Sequence, residues 1–292
     1  MADGAGPTPS GRPAELEGFL NAKFYHPLAR QLAIRLAPTR VSPNAVSIAG
    51  GLCVVAASAA YAAPGWPLTV LLALGLHMSW HILDGADGDL ARLTGKASPT
   101  GELVDGLADY LSHIVLYLVL GAVLMADIGT LAWVLTVAAG ASRIVQSNFY
   151  ESRRRQYECW KYHRPWLGTK PYDGSVAGAP VLAALARAYL SLSVSIGRGF
   201  AALGVLYDQT RDDPDAAERF RRCLLKYVTP TVRRMHPLGA NQRTIVLGLS
   251  MLARSPIYYF VYEIALLNLV LLWSIRANNR AARLTAAGMR QA

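Results

Sequence analysis

Apolar and polar residues follow one another along this chain in long blocks, not at the two-residue period of a strand. Residues 42–63, "SPNAVSIAGGLCVVAASAAYAA", hold no charge at all. A helix needs roughly 20 mostly apolar residues to cross the core of a bilayer. The blocks predict six spans, at about 42–63, 67–92, 99–125, 128–150, 240–254 and 257–275. The fifth is short and opens with Gln242 and Arg243; "ARSP" separates it from the sixth. Span one begins with a Ser-Pro start signal and is rich in small residues, which let helices approach closely. Ahead of it, residues 14–37 set Phe19, Leu20, Leu28 and Leu32 at helical intervals among Lys23, Arg30 and Arg35. That pattern predicts an amphipathic helix lying on the membrane surface.

Residues 151–238 break the rhythm. They start with the basic, aromatic run "ESRRRQYECWKYHRPW" and go on to an apolar run, 179–207, punctuated by Arg187 and Arg198. The second run is read as surface-lying or half-buried helices, not a span. A polar helix follows, with Asp213 as its cap and Pro214 in its first turn. The segment is long for a loop, so a cytoplasmic or interfacial insertion is expected. The expected fold is an all-α integral membrane protein: six transmembrane helices behind an amphipathic surface helix, with a helical insertion between spans four and five. Along the chain this gives a disordered tail (1–13), the juxtamembrane helix (14–37), a catalytic core of spans one to four (38–150), the insertion (151–238), spans five and six (239–276) and a basic tail (277–292).

Composition agrees with a membrane chain. Of 292 residues, 53% are hydrophobic and 16% charged, against about 25% charged in soluble proteins. The start of the chain has no apolar run like that of a signal peptide. The net charge of +10 is unevenly placed. Residues 1–41, 92–96, 151–238 and the C-terminal tail carry the Lys and Arg; the alternate loops hold almost none. The positive-inside rule then puts both termini and the 84–109 stretch on the cytoplasmic side. Basic loops at an anionic leaflet account for the charge, so no nucleic-acid partner is expected. Cys53, Cys159 and Cys223 form no CxxC pair and no disulfide framework.

The chemistry lies in "DGADGDLARLTGKASPTGELVDGLAD", Asp84 to Asp109, five aspartates between two strongly apolar segments. Residues three and four apart share a helical face. Asp84, Asp87, Gly88 and Ala91 thus line one side of the end of span two. Gly101, Asp105 and Asp109 line one side of the start of span three, whose first turn Ser98-Pro99 would cap. A short loop makes the two helices antiparallel neighbours, and four carboxylates converge. Close like charges raise each other's pKa and resist burial. Divalent cations relieve that, and hard oxygen ligands suit Mg²⁺, Mn²⁺ or Ca²⁺. Two ions sharing carboxylates form a clamp suited to phosphoryl transfer. Gly88 and Gly101 leave room for a ligand or a neighbouring backbone, and Arg92 stands where it can meet a phosphate. Asp89 points away from Asp84 and Asp87 by its helical angle; it and Glu102 are read as exposed or as lying behind the ligands.

These residues fit D-x2-D-G-x2-A-R-x8-G-x3-D-x3-D, with Asp84, Asp87, Gly88, Ala91, Arg92, Gly101, Asp105 and Asp109 at its fixed positions. The chain therefore resembles the CDP-alcohol phosphotransferase family, over residues 14–150 and more loosely over 240–276. Ser42-Pro43-Asn44 resembles that family's start to span one. The resemblance implies a CDP-linked donor, an acceptor hydroxyl that attacks its β-phosphorus, and release of CMP, in phospholipid biosynthesis. It implies two divalent cations, Mg²⁺ or Mn²⁺, held by Asp84, Asp87, Asp105 and Asp109, with Asp109 also the general base. Gly88, Ala91, Arg92, Gly101 and Asn44 would face the donor and its nucleotide. It also implies a homodimer. The Ala- and Arg-rich, bacterial-looking composition favours phosphatidyl transfer from CDP-diacylglycerol. Transfer of a phospho-alcohol head group from a CDP-linked small alcohol to a lipid is the alternative.

Two readings of other classes compete. A UbiA-type prenyltransferase also uses Mg²⁺ and aspartates, but on well-separated helices. A cation transporter would place its acidic site near the bilayer midplane. His77 and His81 lie four apart and are read as interhelical hydrogen-bonders, not a metal pair. His113 can approach Asp109 or simply pack. Arg143 either receives an anionic acceptor or snorkels to the interface. Arg153, Arg154 and Arg155 are expected to anchor the membrane surface.

Overall fold

The structure, a computed structural model, describes residues 13–163 and 198–290. The expected disordered tail, apart from Pro13, and most of the apolar run with Arg187 lie outside the described residues. Every regular element among the described residues is helical.

Among the described residues, four helical stretches are long and apolar enough to cross a membrane: Pro43–Ala62, Leu68–Leu93, Thr100–Ile128 and Ile257–Arg290. They correspond to expected spans one, two, three and six. In order, α1 is His26–Leu36, α2 Pro43–Ala62, α3 Leu68–Leu93, α4 Pro99–Ile128 and α5 Leu131–Tyr162. The helix α5, 32 residues long and unbroken, continues past the expected end at 150 to Tyr162, and its second half is polar. After α6 (Arg198–Thr210), α7 (Pro214–Cys223) and α8 (Thr229–Arg233), the helix α9 covers Ala240–Leu252. Its 13 residues span about 20 Å at 1.5 Å each, short of a core of about 30 Å. Neither α5 nor α9 qualifies as a span by length and composition, so among the described residues that criterion gives four of the six expected spans. The short helix α10 (Ile257–Val261) continues through a π-helical stretch, Tyr262–Leu266, into α11, Leu267–Arg290. The expected basic tail is thus helical to Arg290.

Two compact units divide the chain: residues 1–141 with 240–264, and residues 142–239 with 265–292. In the first unit, α2 packs on both α3 and α4. Its small residues permit this. A Cβ on Gly51 would stand 3.2 Å from the Ala108 carbonyl oxygen, and one on Gly50 3.3 Å from Trp80. The shared core includes Val54, Ala57, Tyr61, Ala73, Trp80, Leu116, Leu120 and Leu247. The outer faces stay apolar: Leu71, Leu72, Ile114, Leu118, Val134 and Val137 are exposed, which suits lipid and not water. A buried ion pair lies inside this unit: Arg243 donates to both oxygens of Glu263 at 3.0 and 2.7 Å.

The expected helix over 14–37 is interrupted. A short turn, Ala14–Leu16, precedes non-helical Glu17 and Gly18, and a continuous helical run with a π-helical stretch at Asn21–Tyr25 then leads into α1. Gly18 supplies the reason, because glycine weakens a helix interior. α1 presses Ala29 and Ala33 onto Ala86 and Leu90 of α3 and Val46 of α2, and leaves Phe19, Phe24, Leu28 and Ile34 exposed.

In the second unit, α6, α7 and α11 pack together with the end of α5. Asp213 caps α7 by accepting from Asp215 and Ala216 N–H at 3.0 and 3.3 Å. Gln146 donates to Asn268, which donates to Ser142, tying α5 to α11. The three consecutive arginines do not all face the membrane surface as expected. Arg153 is buried over the rings of Phe149 and Phe200, Arg154 pairs with Glu151 and Glu158, and only Arg155 is exposed. Helical spacing of acids three and four residues away explains the pairing.

Candidate active site

Two helices meet at their polar ends. The chain leaves α3 at Leu93 and reverses over Thr94–Ser98, with Gly95 at φ 67°, a conformation that favours glycine. Ser98 then starts α4, its Oγ accepting from Gly101 N–H at 3.1 Å. The reversal sets the two aspartate faces side by side. One carboxylate oxygen from each of Asp84, Asp105 and Asp109 lies within 4.8 Å of the others. All three residues are partly exposed, so the group opens outward.

Asp87 stands behind this trio. It is 5% exposed, adjoins Asp105 and feels the charge of Asp84. Ser47 of α2 donates its hydroxyl to Asp87 Oδ2 at 2.5 Å. Asp109 is fixed from α3: Trp80 Nε1–H donates to its Oδ1 at 2.6 Å. His113 Nδ1–H donates to the backbone carbonyl of Asp109 at 2.8 Å, not to its carboxylate. The sequence reading missed Ser47 and Trp80. A signal existed for the indole, which sits one turn before Asp84 on the same face and must satisfy its N–H when buried.

Of the two placements expected for Asp89, exposed or behind the ligands, the structure rules out the exposed one. The residue is fully buried, and Arg92 Nη2 donates to it at 2.5 Å while about half of the arginine side chain stays exposed. An i, i+3 pair on one helix explains both facts. Glu102 is exposed as expected. Gly88 faces this pair, since a Cβ there would stand 3.5 Å from the Arg92 guanidinium. Ala91 is half-buried on the same helix. Gly101 faces Asn44, whose Oδ1 lies 3.6 Å from the position of a Cβ. Arg143 belongs to the second unit, half-buried on α5. His81 hydrogen-bonds Thr244 of α9 at 2.9 Å, the interhelical role expected; its ring lies parallel to that of His77 at 6.3 Å.

The donor set is all carboxylate oxygen, with no nitrogen or sulfur in the group. Such a set fits small hard divalent cations. Like charges this close also favour such ions electrostatically. The family model for CDP-alcohol phosphatidyltransferases matches residues 40–192, just over half of the chain and all of this site. Comparison with curated proteins gave no match.

Proposed function

The chain belongs to the CDP-alcohol phosphatidyltransferase family, and from that premise we propose that it moves a phosphatidyl group from CDP-diacylglycerol to an acceptor hydroxyl and releases CMP. Members of the family are transferases that move a phosphate-linked group from a CDP-alcohol, and they depend on divalent cations. The observation that carries the reading is the convergence of Asp84, Asp105 and Asp109 within 4.8 Å at the meeting of two apolar helices.

In this reading Asp84, Asp87, Asp105 and Asp109 hold two divalent cations, Mg²⁺ or Mn²⁺. When bound, the cations supply positive charge that offsets the donor's pyrophosphate and the departing CMP. Ser47 holds Asp87 in place. Asp89 holds Arg92, whose exposed guanidinium meets a donor phosphate. Gly88, Ala91 and Gly101 keep the mouth low for the nucleotide, and Asn44 borders it. The acceptor oxygen bonds to the β-phosphorus as the bond from that phosphorus to CMP breaks. CMP leaves with the bonding electrons, and the acceptor's proton passes to Asp109.

The membrane reading extends the four apolar stretches to six spans by counting the first half of α5 and the helix α9. The charge distribution supports a cytoplasmic site and cytoplasmic termini. Residues 14–37 lie on the surface, with Phe19 and Phe24 toward lipid. A homodimer is part of the same reading; cross-linking in native membranes tests it, and monomer alone would reject it.

The test of the reaction is CMP release by purified protein with Mg²⁺ or Mn²⁺, screened over paired donors and acceptors. Release from CDP-diacylglycerol supports the proposal. Release only from a CDP-linked small alcohol with a lipid acceptor reverses the direction of transfer. No release from any CDP donor rejects the family reaction for this chain.

A further inference from the structure

Trp80 has no part in the reaction described so far, yet its indole reaches the Asp109 carboxylate from another helix. Its ring is 5% exposed, and a buried indole needs an acceptor for its N–H. It finds one at Asp109 Oδ1, 2.6 Å away across the α3–α4 interface. Indole donates only and does not ionise, so it constrains a carboxylate without exchanging a proton with it.

The indole cannot swing. His81 packs against it with ring centroids 4.5 Å apart, and His113 meets it edge-on at 4.6 Å. Both histidines are themselves tethered, His81 to Thr244 at 2.9 Å and His113 to the Asp109 backbone at 2.8 Å. On the α2 side Gly50 closes the space, its missing Cβ only 3.3 Å from Trp80 Cδ1. Three helices thus hold one N–H at a fixed point. A carboxylate turns easily about its last torsion, which is broad and nearly two-fold. A clamped donor on Oδ1 removes that freedom and leaves Oδ2 as the oxygen that the indole does not engage.

We propose that Trp80 is the positioning residue of Asp109: its indole N–H holds Oδ1 so that Oδ2 alone meets the acceptor hydroxyl and the cations. This rests on the reading above, in which Asp109 takes the acceptor's proton. Orientation of a reacting group matters to the rate far more than to substrate binding. The signature is therefore a fall in turnover with donor affinity preserved.

Trp80→Phe keeps a buried ring and removes the N–H. Turnover falls about tenfold to a hundredfold, the range for loss of a hydrogen bond to a charged group, and donor KM changes less than about threefold. Benzothienylalanine at position 80 keeps the bicyclic shape and replaces N–H by sulfur, so it separates packing from donation; the same fall is expected. A third measurement needs no substrate. In protein labelled with ¹⁵N-indole, the Trp80 resonance shifts in Asp109→Asn and moves again when Mg²⁺ is added to the wild type. Benzothienylalanine protein with wild-type turnover, or a Trp80 resonance unmoved by Asp109→Asn, overturns the proposal. If wild-type protein releases no CMP from any donor, the reaction reading fails, and the indole resonance still decides whether Trp80 holds Asp109.

Discussion

Two regions of the first unit put charge inside apolar helices, and they do so in opposite ways. Arg243 and Glu263 form a bidentate pair, buried at 1% and 0% side-chain exposure. One cation meets one anion, and both are withdrawn from solvent. The aspartate group is built from one sign of charge, and its front three members are partly exposed. The resolved supports of Asp87 and Asp109 are neutral donors, Ser47 Oγ and Trp80 Nε1. Neutral donors orient a carboxylate without cancelling its charge, so the negative charge remains for a cation or a substrate to meet. A structural charge is balanced by its own chain. A chemical one is aimed and left unbalanced.

The comparison breaks most sharply on substitution of the aspartates. Asp84→Asn, Asp87→Asn and Asp105→Asn are each expected to lower CMP release about a hundredfold to a thousandfold, on the scale of losing a central charge-stabilising group. Their melting temperatures without added metal should hold or rise, because like-charge repulsion is relieved. A fall in melting temperature with activity intact would make the group structural. Glu263→Gln should do the reverse. It leaves Arg243 buried with a neutral partner and costs about 3–5 kcal/mol of stability, read as a lowered melting temperature in detergent. The double variant Arg243→Met with Glu263→Leu should recover most of that loss.

Smaller effects sharpen the contrast. Ser47→Ala removes the hydroxyl that orients Asp87 and should cost about 1–3 kcal/mol of transition-state stabilisation, roughly tenfold to a hundredfold in kcat/KM. Unchanged kcat/KM would show that Asp87 needs no holding. Asp89→Asn loosens Arg92 without touching the trio. Donor KM should rise a few-fold, within the range of a weakened charge-assisted bond, while kcat stays near the wild-type value. A loss as deep as that of Asp87→Asn would place Asp89 among the groups that act on the reaction itself.

How legible these regions were from sequence follows from what each interaction depends on. The aspartate faces were readable because they rest on i, i+3 and i, i+4 spacing within single helices, and Ser98 and Asp213 as caps rest on equally local rules. Apolar length revealed the stretches at Pro43–Ala62, Leu68–Leu93 and Thr100–Ile128. It did not reveal that α5 continues to Tyr162, since hydropathy there drops while helical pairing of Arg154 with Glu151 and Glu158 carries the helix on. Arg243 looked like a flaw in a span because Glu263 lies 20 residues away. Ser47 and Asp87 are 40 apart, and Trp80 and Asp109 29 apart; such contacts exist only once helices pack. For Asp89 the sequence left exposure and a place behind the ligands both open, because its helical angle does not show what packs on that side of α3; the structure buries it.

The central claim is that the carboxylate group works by holding divalent cations for release of CMP. It is tested most directly by stripping purified protein with EDTA, removing the chelator and following CMP release from CDP-diacylglycerol as Mg²⁺ is returned. The account predicts no turnover in the stripped protein, recovery on adding Mg²⁺, and no recovery in Asp105→Asn at the same concentration. Full turnover in the stripped, metal-free protein would contradict it.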